Sequence, residues 1–300
     1  MPHPSTFTAN APRFAVSAGA CDCHTHVFGP VERYPLRPDR VYTPADALPA
    51  DSEAMLAALG LDRVVLVQAS VYGTDNRCML DGLKALGQRA RGVAAIPPDI
   101  ADTDLNALHA AGVRGVRLNL ATGHDRSSAT ITAEMRALAD RISPLGWHLQ
   151  LFVRPHVLPD LRPIVEEMDV DVVIDHMGLV PAEDYRDNPG FSALLSMLAG
   201  GRIWVKASGA YRVGPAEGSW DGVAPMARAL VESRPDRIVW GSDWPHTPPH
   251  GRDAVDHETV MPFRPLDTGH LLDLLADWAP DEETRKRILV DNPARLYGFD

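Results

Sequence analysis

Three hundred residues, 45% hydrophobic and 23% charged, make a globular chain long enough to bury a core without disulfides or a structural metal, which excludes disordered and fibrous classes. The formal net charge of −11 argues against a nucleic-acid partner, although arginines gathered in a pocket can still recruit an anionic small molecule. No apolar run approaches the roughly 20 residues of a membrane helix. The opening MPHPSTFTANAPRF has no basic stretch followed by an apolar run, so no membrane association and a cytoplasmic location with free Cys21, Cys23 and Cys78 are expected.

Residues 1–18 lack periodicity and read as an arm that either frays or wraps the bottom of the fold. After them, eight short apolar runs recur: ACDCHTH (20–26), RVVLVQAS (63–70), RGVAAIPP (91–98), GVRGVRLNL (112–120), WHLQLFV (147–153), VDVVIDHMG (170–178), RIWVKASG (202–209) and DRIVWGSDWP (236–245). Each has strand length and is rich in Val and Ile, and near-continuous apolar strands are what a sheet buried on both faces requires. Helical stretches separate them: SEAMLAALG (52–60), with Ser52 as a possible cap and Gly60 as a stop, then CMLDGLKALGQRA, TDLNALHAAG, ITAEMRALADRI, LPDLRPIVEEM and APMARALVES. Eight strands alternating with helices, without a composition break or a glycine-rich phosphate fingerprint, predict one α/β domain over 19–300, a closed (β/α)8 barrel of the TIM type. Residues 27–51, 211–222 and 246–268 read as long loops at strand ends, where barrel active sites lie.

The strand ends carry residues that an apolar core would not choose. His24 and His26, two apart, project to one side of the first strand. The sixth run ends in Asp175-His176, and the eighth in Asp243, with His246 just beyond. His24, His26, His176 and Asp243 thus converge at one end of three strands. Taken singly, each has a structural explanation: a histidine satisfied in the core, or an aspartate capping a helix. Arg117, Arg154 and Arg212 lie at or just past three further strand ends, and Arg forks suit carboxylates. Tyr42, Ser70 and Tyr72 could add hydroxyl donors.

D-C-H-T-H (22–26), D-H-M-G (175–178), W-G-S-D-W-P-H (240–246) and N-P-A-R-L-Y-G-F (292–299) together resemble the amidohydrolase superfamily in its amidohydrolase-2 branch. Q-A-S-V-Y-G-T-D-N (68–76) and K-A-S-G-A-Y-R (206–212) resemble the 2-pyrone-4,6-dicarboxylate lactonase group. The resemblance implies a distorted (β/α)8 barrel and a hydrolase that opens the lactone ring of an anionic small molecule. Asp243 would be the general base, with its pKa raised by burial, and His24, His26 and His176 would polarise the carbonyl. Tyr42, Ser70, Tyr72, Arg117, Arg154, Arg212 and His246 would bind substrate. Leu179 stands where the dicarboxylate lactonases have arginine, which favours another lactone acid.

Metal-using relatives supplement the first and last strands with a lysine or glutamate on the fourth strand or a histidine on the fifth. Here those strands end in Arg117-Leu118-Asn119 and Phe152-Val153-Arg154. His148 lies too deep to substitute, while His156 could swing back. No cofactor is therefore expected, and the alternative is one divalent ion, Zn²⁺ or Mn²⁺, on His24, His26, His176 and Asp243. A metal-dependent amidohydrolase or decarboxylase and a non-catalytic binding barrel are the rival readings. A monomer or small homo-oligomer is expected.

Overall fold

A computed structural model describes residues 7–122, 126–215, 219–248 and 259–299. Its centre is an eight-stranded parallel sheet: β1 (Cys21–Thr25), β2 (Arg63–Val67), β3 (Ala90–Ala94), β4 (Val113–Asn119), β5 (His148–Phe152), β6 (Val172–Ile174), β7 (Ile203–Ser208) and β8 (Ile238–Gly241). Each strand pairs in parallel with the next in chain order. Asp243 N donates to His24 O at 2.9 Å and His26 N to Trp244 O at 2.9 Å, so the last strand end meets the first and the sheet curls into a barrel.

Strand alternation separates two apolar layers. Val64 and Leu66, Leu149 and Leu151, and Ile203 and Val205 join the larger core between sheet and helices. Cys21, Cys23, Val65, Val67, Val93, Val173, Trp204 and Val239 pack together with Tyr297 and Phe299 from the C-terminal segment, which fills the lower barrel. All three cysteines are free and buried.

The helical readings hold for six segments, two of which start three residues earlier, at Pro49 and Ser128. The first helix runs Pro49–Leu59, and Leu48 N donates to Asp51 Oδ2 at 2.9 Å. Ser52 is therefore buried within the helix and is not its cap, whereas Gly60 does end it, at φ 68°. Sequence reading missed the helices Pro189–Ala199 and Thr268–Trp278, which begin under the side chains of Asn188 and Asp267. The 211–222 stretch contains a helical turn, Ala210–Val213, and positions 216–218 and 249–258 of the expected loops lie outside the described residues. In the first connection, Thr43–Pro44 pairs with Val260–Met261 of the last.

The arm does not confine itself to the barrel bottom. Gly19 N donates to Asp62 Oδ2 at that end, but Phe7 lies against Trp244, beyond the C-terminal end of β8. No described helix is long and apolar enough to cross a membrane.

Candidate active site

Two backbone features bring the polar strand ends together. The register of β1 against β2 shifts between Asp22 and Thr25, where the histidine pair lies. Past β6 and β8 the chain turns through left-handed backbone at residues other than glycine: His176 (φ 48°), Met177 (φ 52°), Leu179 (φ 53°), Asp243 (φ 61°) and His246 (φ 66°). Each such residue costs on the order of 1–3 kcal/mol, and such strain clusters where side chains must be aimed. Gly241 lets β1 approach, since a Cβ there would sit 2.6 Å from His24 Cβ.

Asp243 is fully buried and its two oxygens differ. Oδ2 accepts from Tyr211 Oη (2.6 Å) and Arg212 Nε (2.5 Å). Oδ1 has no hydrogen-bond partner among the described residues. It lies 3.7 Å from His24 Nε2 and 3.6 Å from His26 Nε2. Burial alone would raise this carboxyl, but Arg212 and the facing histidines hold it well below the usual carboxylate range. The expectation of a raised pKa is therefore corrected. The cause is Arg212, placed by the turn Ala210–Val213, which also donates to Thr247 Oγ1 at 2.9 Å.

The histidines are oriented from behind. His26 Nδ1 lies 2.8 Å from the Val67 carbonyl, which can only accept, so in the neutral ring Nε2 is an unprotonated acceptor. His24 Nδ1 meets Asp175 Oδ1 (3.3 Å) and Lys206 Nζ (3.4 Å). Burial, then Lys206, push His24 well below the usual imidazole value, so it is neutral. His176 Nδ1 pairs with Ser208 Oγ at 2.9 Å, and burial lowers this histidine to about 4.

Beneath the site lies a polar network that sequence reading missed. Lys206, fully buried, donates to Cys23 O (2.9 Å) and Gln150 Oε1 (2.7 Å), and stands 3.6 Å from Asp175. Gln150 Nε2 donates to Asp175 Oδ2 at 3.1 Å. Burial would raise Asp175, yet the neighbouring His24 and Lys206 hold it below the carboxylate range. A lysine and a glutamine in the middle of apolar runs were the available signals.

The cleft above Asp243 is lined by His26, Tyr42, Ser70, Arg117, Phe152 and His176, together with Ala69, Asn119, Arg212 and Thr247. Arg117 stacks over Phe152 at 5.2 Å and donates to Gln68 O at 3.1 Å, while its buried Nε has no hydrogen-bond partner among the described residues. Asn119 and Thr247 were not anticipated. Three expected substrate contacts are absent from this lining. The Tyr72 hydroxyl accepts from Gly29 N, Arg154 Nε donates to Ala121 O, and His246 Nε2 pairs with Thr268 Oγ1 at 3.0 Å. The cleft has about 20 Å³ of free volume, so a ring-sized guest requires its mouth to open. A larger cavity of about 320 Å³ lies at the opposite end, beside His148, Trp204 and Arg237. It has no comparable convergence of acid and histidines, and the bottom face of such barrels serves stability.

The donor set fits a divalent cation. Imidazole and carboxylate atoms of His24, His26 and Asp243 lie within 4.8 Å of one another, as do those of His24, Asp175 and His176. His24 Nε2 and Asp243 Oδ1, both buried and without a hydrogen-bond partner among the described residues, face each other at 3.7 Å, an arrangement that a cation or a bridging water would satisfy.

The amidohydrolase family model matches residues 21–299. A 2-pyrone-4,6-dicarboxylate hydrolase of Comamonas testosteroni is 39% identical over 295 residues, 95% of this chain and 92% of that protein. A 4-sulfomuconolactone hydrolase of Hydrogenophaga intermedia is 35% identical over 289 residues, 96% of this chain and 92% of that protein. The crystal structure of a probable 2-pyrone-4,6-dicarboxylic acid hydrolase from Acinetobacter baumannii with citric acid bound superposes with a TM-score of 0.78 at 27% identity, over 94% of this chain and 100% of that one. With the model matched over nearly its whole length and relatives above 30% identity, the chain belongs to the amidohydrolase family.

Proposed function

We propose that the protein hydrolyses the lactone ring of a small carboxylate-bearing molecule. The observation that carries this reading is Asp243 Oδ1, without a hydrogen-bond partner among the described residues and facing the Nε2 atoms of His24 and His26 at the floor of a cleft that also holds Arg117. The Comamonas and Hydrogenophaga relatives are named as hydrolases of 2-pyrone-4,6-dicarboxylate and of 4-sulfomuconolactone, and the Acinetobacter structure holds citric acid.

A water in this position donates one proton to Asp243 Oδ1 and the other to His26 Nε2, which turns its lone pair toward the cleft. As its oxygen bonds to the lactone carbonyl carbon, the first proton passes to Asp243. His176 is held at Nδ1 by Ser208 Oγ, and in the tautomer that carries the ring proton on Nε2 it donates a hydrogen bond to the developing oxyanion. The ring C–O bond then breaks, and Asp243 returns the proton to the departing ring oxygen. Against burial, Arg212 and the facing histidines favour the ionised form of Asp243, so the carboxylate is the acceptor in the resting site and holds the proton only in passing. Arg117 is the anchor for the substrate carboxylate, helped by Tyr42, Ser70, Asn119 and Thr247 at the rim.

A divalent ion held by His24, His26 and Asp243 would polarise the carbonyl and lower the pKa of water. The positive charge around the site favours catalysis without it. Lys206, Arg117 and Arg212 already surround Asp175 and Asp243, so two further positive charges would be placed in a buried, compensated cluster.

A panel of lactones with and without a carboxylate, followed by acid release with a pH indicator, tests the reading. Carboxylate-bearing members are expected to open at least about 100-fold faster than neutral ones. The absence of ring opening across the panel would refute it.

A further inference from the structure

We propose that the N-terminal arm is a strap that positions Asp243, with Phe7, Asn10 and His246 as positioning residues; this rests on the reading of Asp243 as the base. None of the arm's described residues lines the cleft. The arm crosses the segment that follows β8 and carries Asp243.

Two routes connect them. Phe7 meets the ring of Trp244 edge-on at 4.8 Å and Phe263 at 5.7 Å. Trp244 is adjacent to Asp243 in sequence, fully buried, and its carbonyl accepts from His26 N across the barrel seam. Displacing its indole therefore moves the peptide that joins the base to the histidine strand. The second route runs through Asp267 and Thr268. Asn10 donates to Asp267 from its backbone (3.0 Å) and its side chain (2.7 Å), and Thr268 N donates to Thr8 O at 3.0 Å. Thr268 Oγ1 in turn holds His246 Nε2 at 3.0 Å, and His246 N donates to Asp243 O at 2.8 Å.

Fit at this junction is close. A Cβ on Gly269 would lie 2.0 Å from Asn10 O, so the arm runs directly over the start of the Thr268–Trp278 helix. The two residues so gripped, Asp243 and His246, both have left-handed backbone that needs external contacts to persist. His246, which the sequence suggested as a substrate ligand, acts here through Asp243's backbone. A misplacement of about 1 Å in a catalytic group can cost on the order of 100-fold in rate.

The test is steady-state kinetics of Phe7→Ala, Phe7→Leu and Asn10→Ala on the best lactone, at a temperature well below each variant's Tm. Phe7→Ala is expected to lower kcat by roughly tenfold or more with KM within about twofold, because binding at Arg117 is untouched. Phe7→Leu, which keeps apolar bulk against Trp244, is expected to recover most of the rate, and Asn10→Ala to give a smaller loss of kcat alone. Arg13→Ala removes the arm's ion pair from the exposed Arg13 side chain to Asp273, a buried residue of the Thr268–Trp278 helix, and is expected to leave kcat within twofold. If Phe7→Ala does not fold, Phe7→Leu and Asn10→Ala against Arg13→Ala decide the matter. Unchanged kcat, or losses that follow Tm equally in Arg13→Ala, would overturn the strap. An active Asp243→Asn would instead overturn the base, so the two failures are distinguishable.

Discussion

Arg212 Nε donates to Asp243 Oδ2 at 2.5 Å, so the carboxylate that faces the cleft is held by a cation on its far side. Without Arg212, burial is left as the main influence on Asp243, and its pKa rises. The ionised, active form is then lost at higher pH, so the acid limb of the pH–rate profile of Arg212→Met is expected to move upward. Loss of the charged hydrogen bond is expected to lower kcat/KM by roughly 2–3 kcal/mol. A profile that superposes on the parent's would show that Arg212 does not set the state of Asp243.

Arg117 and Arg154 are expected to behave differently although both lie at strand ends. Arg117 lines the cleft and its Nε, 3.9 Å from Asp175 Oδ2, has no hydrogen-bond partner among the described residues, whereas Arg154 Nε is engaged by Ala121 O. On a carboxylate-bearing lactone, Arg117→Met is expected to cost about 2 kcal/mol or more in kcat/KM, chiefly through KM. Arg154→Met is expected to stay within roughly threefold of the parent, an effect below about 1 kcal/mol. The reverse order of effects would place the carboxylate elsewhere.

Acid is expected to destabilise the fold through buried neutral histidines. Burial pushes His148 down to about 3, and His176 and His246 down to about 4. In the unfolded chain each titrates near about 6.5, so below that value the unfolded state binds more protons. Their contribution is full above about pH 6.5 and falls toward about pH 3–4, by roughly 1.4 kcal/mol per pH unit for each histidine. Asp22, pushed up to about 6 by burial, has the opposite sign below that pH, and the three histidines outweigh it. Urea midpoints measured from pH 7 to pH 4.5 should fall, and His148→Leu, remote from the cleft, should flatten the slope.

Metal removal separates the two states of the acceptor cluster. Exhaustive chelation, with metal analysis showing well under one equivalent, is expected to leave the hydrolytic rate unchanged, since Lys206, Arg117 and Arg212 already supply positive charge. A loss of rate that zinc or manganese restores would assign His24, His26 and Asp243 to an ion.

The barrel and the convergence of His24, His26, His176 and Asp243 were legible because strand length, apolar runs and polar strand ends are local signals. What escaped depends on geometry between strands. Lys206 reads as an isolated charge in an apolar run until β7 curls past Cys23 and Gln150 to meet it. The pKa of Asp243 was misjudged because burial is visible in a strand, while the approach of Arg212 is set by a single turn after β7. Tyr72 and His246 carry suitable chemistry at suitable positions, yet each turns to a partner outside the cleft, Gly29 and Thr268. The strand end alone does not tell a rim residue from one that supports it.

The most direct measurement is the hydrolytic rate of Asp243→Asn on the lactone the parent opens fastest, with folding checked by its thermal transition. Asparagine keeps the volume but cannot take the water's proton, so kcat is expected to fall by about 10²–10⁴-fold in a folded protein. Turnover within tenfold of the parent would contradict Asp243 as the base and, with it, the proposed course of hydrolysis.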